Sequence, residues 1–115
     1  MVFALATDHG GLTAFPSARE AEAHCEGLDV GDGVWLFFAE DGSPLEARFE
    51  RPNRRGLFTV SGTYTLQRAL SGRWLQEQLA QVKSVAGCGL TTVAELVETL
   101  KVNRGKRAAP GGKRG

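Results

Sequence analysis

Two cysteines and two histidines are the residues of this chain best suited to chemistry. His24 and Cys25 are adjacent, whereas His9 and Cys88 lie far from them in the sequence. A nucleophilic cysteine needs a histidine within hydrogen-bond reach, but neighbouring residues on a helix do not face each other. Cys25 also falls on the apolar stripe of a predicted helix, where a free thiol packs as a small hydrophobe. The sequence therefore favours a packed thiol over a catalytic dyad.

The remaining candidates for chemistry fail on spacing or surroundings. The four Cys and His residues contain no pair at the short spacing typical of structural zinc sites. Acid–base catalysis needs a carboxyl group in an apolar pocket, but the paired acids of this chain lie in glycine-rich loops that predict solvation. No glycine-rich segment matches a phosphate-binding loop. We therefore expect no enzyme activity, no metal and no cofactor.

Charge is distributed unevenly, although the formal net charge of the 115-residue chain is only +1. Residues 1–50 hold ten acidic and two basic side chains, whereas residues 51–115 hold three acidic and twelve basic ones. Six of those bases lie in the last fifteen residues, which hold no acid. An asymmetry of this kind bears on partners more than on fold. It predicts an acidic body that carries a basic tail.

The basic tail supports one hypothesis, the binding of nucleic-acid phosphates. Residues 103–115 contain four glycines, one proline and no large apolar group, so they have nothing to bury and we expect disorder after a single domain spanning residues 1–102. No aromatic residues are interleaved for base stacking, and the acidic body would repel a nucleic-acid backbone. The bases that would make the contacts are Arg104, Lys106, Arg107, Lys113 and Arg114.

Hydrophobic patterning predicts the elements that position these residues. Two apolar runs around Gly10-Gly11 predict an opening hairpin, and the capping box Ser17–Glu20 predicts a helix after it. The run Val34–Ala39 is apolar on both faces, which favours a central strand. Two alternating strands follow, over residues 45–50 and 58–67, with Gly62 marking a bulge or a close approach.

The second half of the chain adds two predicted helices. Leu75, Leu79 and Val82 recur at helical spacing near residues 72–84, and the capping box Thr92–Glu95 begins a second amphipathic stripe. The order β-β-α-β-β-β-α-α predicts an α+β fold. We expect an antiparallel sheet of about five strands with the helices packed on one face.

Four carboxylates flank the two ends of the predicted central strand: Asp29, Asp32, Glu40 and Asp41. Such a cluster could steer a basic partner towards the domain, or it could simply be a solvated acidic face.

The segment from Cys25 through Val34-Trp-Leu-Phe-Phe-Ala39 to Asn53, together with the strand from Val60 to Leu66, resembles a known group of proteins. It is similar to the small bacterial immunity proteins that accompany polymorphic or contact-dependent growth-inhibition toxins. The resemblance covers roughly residues 1–100 and carries no catalytic signature.

The resemblance implies stoichiometric occlusion of a cognate toxin domain in the cytoplasm. Many such toxins are nucleases with basic substrate grooves, which an acidic domain would fit. The four carboxylates would then face the toxin, and Trp35 would anchor the interface because tryptophan is enriched in binding hot spots. The absence of a signal peptide and of a membrane-spanning apolar run in the sequence agrees with a cytoplasmic location.

Overall fold

The apolar run at the start of the chain forms β1 (Val2–Ala6), a strand buried on both faces in the computed structural model of this protein. The structure describes the backbone of residues 1–111 and the side chains of residues 1–105. β1 pairs antiparallel with β2 (Gly11–Phe15) on one side and with β3 (Trp35–Ala39) on the other. A strand that is apolar on both faces requires a hydrophobic layer on each face.

The sheet has six strands in the order β5-β4-β3-β1-β2-β6. β4 (Pro44–Arg51) and β5 (Thr63–Arg68) form an antiparallel hairpin at one edge. β6 (Ser84–Ala86) forms the other edge and runs parallel to β2. The predicted α+β class with a mostly antiparallel sheet is confirmed. The sixth strand escaped prediction because its three residues contain a single buried apolar side chain, Val85.

Four helical segments connect and cover the strands. α1 (Ala18–His24) and α2 (Gly27–Gly31) lie between β2 and β3, and α3 (Val93–Gly111) follows β6. The helix predicted near residues 72–84 is a 3₁₀ helix over Leu75–Gln81. It ends early because the Lys83 amide donates to the Gly10 carbonyl oxygen at 2.7 Å, which draws the chain towards the sheet as β6 begins.

The helices pack on both faces of the sheet, so the prediction that they share one face is wrong. On one face, the 3₁₀ helix and α3 bury a cluster with the sheet: Phe3, Leu5, Leu12, Phe38, Leu75, Leu96 and Leu100. On the opposite face, α1 and the residue after it bury a second cluster: Val2, Phe15, Ala21, Cys25, Phe37 and Tyr64. The reason is the alternation of side chains along β1, which sends apolar groups to both faces.

The boundary predicted at residue 102 falls inside α3, because the helix continues to Gly111. Asn103 is buried, and its Nδ2 donates to the Glu40 carbonyl oxygen at 2.8 Å. Asn103 follows Leu96 and Leu100 at helical spacing, so a polar residue extends the buried stripe that ended, in the sequence, at the last leucine. The domain therefore includes the first residues of the predicted tail, and residues 112–115 lie outside the described part of the chain.

β5 begins at Thr63, five residues later than the alternating pattern predicts. The chain before it is held against other elements at Gly62, where a side-chain carbon would collide with the backbone of residues 51–53. The Gly62 carbonyl oxygen also lies against Gly27 at the start of α2. Gly62 therefore marks a close approach to a helix, one of the two alternatives that the sequence left open.

Candidate protein-binding surface

The connection between β4 and β5 folds as a closed extension of that hairpin. Arg54 and Val60 exchange both backbone hydrogen bonds, at 2.9 and 2.8 Å, which leaves residues 55–59 as the loop at the tip. At the base, the Asn53 Oδ1 accepts from the Gly62 amide at 2.7 Å. These bonds fix the loop at both ends, so its side chains are presented on an ordered support.

Two further hydrogen bonds fasten this extension to α2. The Asn53 Nδ2 donates to the Gly27 carbonyl oxygen at 2.9 Å, and the Ser61 Oγ accepts from the Leu28 amide at 3.2 Å. In the sequence, β3 and β4 lie between α2 and this extension, yet the two segments form one surface. We call it the α2–hairpin surface and define it by Asp29, Asp32, Arg54, Arg55, Leu57, Phe58 and Val60.

The centre of this surface is apolar and open to solvent. Leu57 is 93% exposed and Phe58 is 78% exposed, and Val60 beside them is also exposed. Single exposed apolar residues are common on protein surfaces, but contiguous ones on an ordered loop are typical of interaction sites. The exposure of these residues could not be predicted, because Phe58 and Val60 fit the apolar alternation of the strand that was predicted over residues 58–67. The Arg54-Arg55-Gly56 segment before them was the available turn signal.

Charged groups of both signs surround the apolar tip. The Arg55 Nη2 lies 2.8 Å from the Asp32 Oδ2, and both side chains are more than half exposed. Such a pair contributes little to folding stability because solvent screens it. The pair matters more for recognition, because the positive charge of Arg55 partly offsets the negative charge of the carboxylates predicted to face a partner. Asp29, one turn earlier on α2, is exposed.

The other two predicted carboxylates lie at the opposite end of β3. Asp41 is only 5% exposed, so its predicted exposure to a partner is wrong. Its Oδ1 accepts from the Ser43 amide at 3.0 Å and from the Ser43 Oγ at 2.7 Å, which shapes the β3–β4 turn. Glu40 is half-buried, with its Oε1 3.6 Å from the Met1 nitrogen. The four carboxylates therefore lie at the two ends of β3, as predicted, but they form two separate pairs and only Asp29 and Asp32 belong to the α2–hairpin surface.

Trp35 is half-buried in the layer beside α1. The exposed His24 ring lies between two aromatic rings, with centroids 5.3 Å from Phe15 and 6.3 Å from Trp35. Trp35 therefore offers a partner less apolar area than the hairpin tip offers. Its role as an interface anchor stays a prediction.

Cys25 is fully buried, and its surroundings do not activate the thiol as a nucleophile. Burial, and to a smaller extent the nearby Asp29 carboxylate, raise the pKa of the thiol to about 12. An activated thiol needs the opposite shift. The Tyr64 hydroxyl donates to the Cys25 carbonyl oxygen at 2.6 Å, so this residue joins α1 to β5.

The part of the chain that the structure describes holds no cluster of three or more His, Cys, Asp and Glu residues able to bind a metal.

The basic residues proposed for nucleic acid are only partly described. The Arg104 guanidinium lies 5.3 Å from the centre of the Trp74 ring, in a cation–π contact on the body of the protein. Lys106 and Arg107 belong to α3, but their side chains lie outside the described residues. Lys113 and Arg114 lie outside them entirely. Nucleic-acid binding by this segment stays a prediction.

Comparisons with known proteins identify no relative. No family model, curated protein or solved structure matches the chain. Within residues 1–111, no helix has both the length and the apolar composition needed to cross a membrane.

Proposed function

We propose that this chain is an immunity-type binding protein, which neutralises a cognate bacterial toxin domain in the cytoplasm by stoichiometric occlusion. The observation that carries the proposal is the exposure of Leu57 and Phe58 on a hydrogen-bonded hairpin tip. Transfer of either side chain from water into a partner's pocket would contribute about 1.5–3 kcal/mol. A protein partner is supported because neighbouring exposed apolar side chains on one surface are typical of protein interaction sites.

The anatomy of the α2–hairpin surface supports a protein partner. Protein interfaces combine an apolar centre with a polar rim, and large apolar side chains near the centre dominate the affinity. Here Leu57 and Phe58 form the centre, and Asp32 and Arg55 form part of the rim. The excess of acidic residues in the first half of the chain would speed the approach of a basic toxin domain.

A capture experiment tests this proposal. The full chain is tagged and used as bait in a lysate of the source cell, beside a double variant in which Leu57→Ser and Phe58→Ser remove the apolar tip. Leu70→Ser is the matched control, because Leu70 is a fully exposed leucine outside the α2–hairpin surface. We expect one protein captured at a 1:1 ratio, lost in the double variant and kept in the control.

The captured protein must also be toxic when it is expressed alone, and co-expression of the full chain must restore growth. Equal capture by the double variant, a harmless partner, or retention of nucleic acid in place of protein would each contradict the proposal.

A further inference from the structure

The α2–hairpin surface carries opposite charges on two neighbouring segments. Its acids, Asp29 and Asp32, lie on α2 and directly after it, whereas its bases, Arg54 and Arg55, lie on the extension of the hairpin. All four side chains are exposed, and residues 51–64 contain no acid. The hydrogen bonds between α2 and the extension hold the two segments side by side. The apolar tip is therefore flanked by one acidic and one basic segment.

A surface with this layout is complementary to itself. In a two-fold symmetric dimer the same surface of both copies meets, so every contact between the copies occurs twice. When two copies lie side by side and antiparallel, the extension of each copy faces α2 of the other. Both arginines of one copy then meet both aspartates of the other. A uniformly basic partner would be attracted by the aspartates but repelled by Arg54 and Arg55.

The apolar tip favours the same occupant. Leu57 is 93% exposed and Phe58 is 78% exposed, and neighbouring apolar side chains of this kind promote association. Pairing about a two-fold axis covers the tips of both copies and leaves no third site, so association stops at the dimer. The surface is smaller than the roughly 20–30 residues a side of a stable interface. We therefore expect a weak dimer, with a dissociation constant on the order of 10 μM.

We propose that the free chain forms a two-fold symmetric homodimer through its α2–hairpin surface. Leu57 and Phe58 of both copies pack together at the axis, and the arginines of each copy pair with the aspartates of the other. The dimer covers the side chains that would anchor a toxin domain, so dimerisation and partner binding exclude each other. The proposal does not depend on the proposed function, because dimerisation needs only the purified chain.

Analytical ultracentrifugation of the purified full chain tests the dimer over about 1–500 μM. We expect a monomer–dimer equilibrium without larger species. The double variant with Leu57→Ser and Phe58→Ser should stay monomeric throughout, a loss of affinity of about 50-fold or more. Leu70→Ser is the matched control and should dimerise like the native chain, because Leu70 is exposed outside the surface. A monomeric native chain, or equal dimerisation of the double variant, would overturn the proposal.

An exchange of charges tests the two-fold pairing itself. The lysine variant carries Asp29→Lys and Asp32→Lys, and the glutamate variant carries Arg54→Glu and Arg55→Glu. Each variant alone places like charges across the axis and should be monomeric. An equimolar mixture places opposite charges there and should form a heterodimer with an affinity within about tenfold of the native one. Recovery in the mixture also shows that both variants are folded, and a mixture that stays monomeric would overturn the proposal.

A second pair of arginines controls for net charge. Arg48→Glu with Arg68→Glu makes the same change of charge at exposed positions on β4 and β5 outside the surface. This control should dimerise like the native chain. It should bind the lysine variant, followed by a fluorescent label, more weakly than the glutamate variant does, and equal binding would overturn the proposal. A monomeric chain that still captures a toxin domain contradicts only this inference, whereas a dimer that captures none contradicts only the proposed function.

Discussion

At the scale of single residues, burial decides the chemistry of Cys25. The sequence places a cysteine beside a histidine, but the structure turns the thiol into the core and raises its pKa to about 12. Cys88, by contrast, is exposed in the loop before α3. We therefore predict that one thiol of the native chain reacts rapidly with a thiol reagent at pH 8 and that Cys25 reacts only on unfolding. Rapid labelling of Cys25 would contradict this account.

The same burial predicts a pH dependence of stability. The folded-state pKa of Cys25 is raised above its ordinary value of 9.0, so the unfolded chain ionises first as the pH rises. The contribution of Cys25 is complete below pH 9.0 and is lost as the pH rises from 9.0 towards 12. Urea unfolding of the native chain and of Cys25→Ala should show a steeper loss of stability for the native chain over that window. Parallel pH profiles would contradict the prediction.

Asp41 is a second residue whose role, in this case shaping the β3–β4 turn, could not be predicted from the sequence. Two acids before a glycine predict a solvated turn, yet the Asp41 carboxylate accepts two hydrogen bonds from Ser43. Asp41→Ala should lower the free energy of unfolding by about 1–3 kcal/mol, because it leaves buried donors of Ser43 unpaired. The comparison is Asp29→Ala at an exposed position, which we expect to change stability by about 0.5 kcal/mol or less. Equal unfolding midpoints for the two variants would contradict the buried role.

At the scale of elements, α1 protects the edge of the sheet. β5 is an edge strand, and the Glu22 Oε2 on α1 accepts from the Leu66 amide at 2.8 Å. Unpaired edge groups invite pairing with another chain, and a capped amide resists it. Glu22→Ala should therefore lower stability by about 1–2 kcal/mol and raise self-association. Glu22→Gln keeps an acceptor oxygen and should restore most of both properties, as measured by urea unfolding and sedimentation. Equal behaviour of the two variants would contradict the cap.

α3 provides a direct test of where the domain ends. Asn103 bonds to Glu40, and Arg104 covers the Trp74 ring. A chain that ends at residue 102 should be less stable than one that ends at residue 105, by about 1–2 kcal/mol, because it loses both contacts. The emission of Trp74 should also shift to longer wavelength in the shorter chain. Equal stability of the two chains would contradict a role for these contacts and would agree with the boundary predicted at residue 102.

Elements with a local signal could be predicted, and elements fixed by distant contacts could not. The capping box at Thr92 and Glu95 forms as predicted, with the Glu95 amide donating to Thr92 Oγ1 at 3.1 Å and the Glu95 carboxylate accepting in return. Hydrogen bonds from the Thr91 amide and hydroxyl, and then from the Thr92 amide, hold the pKa of Glu95 below its ordinary range. β6 depends instead on pairing with β2, some seventy residues earlier. The α2–hairpin surface likewise depends on contacts of Asn53 and Ser61 with α2.

At the scale of the whole molecule, the acidic side chains available to a partner include those on α1 and α2, and Asp41 is not among them. Asp41 is instead buried in a turn at the other end of β3. Long-range attraction depends on how charge is distributed over the surface, and in residues 1–50 the acidic side chains outnumber the basic ones by ten to two. The association rate with a basic partner should therefore fall as ionic strength rises, and Asp29→Asn should lower it further at low salt. An association rate that is insensitive to salt would contradict electrostatic steering.

The central claim is that Leu57 and Phe58 anchor a protein partner. Its most direct test is the calorimetric affinity of the captured partner for the native chain and for the double variant with Leu57→Ser and Phe58→Ser. We predict a 1:1 complex whose affinity falls by about 100-fold or more in the double variant, as expected for two interface anchors. The Leu70→Ser control should bind like the native chain. An affinity of the double variant within about threefold of the native value would contradict the claim.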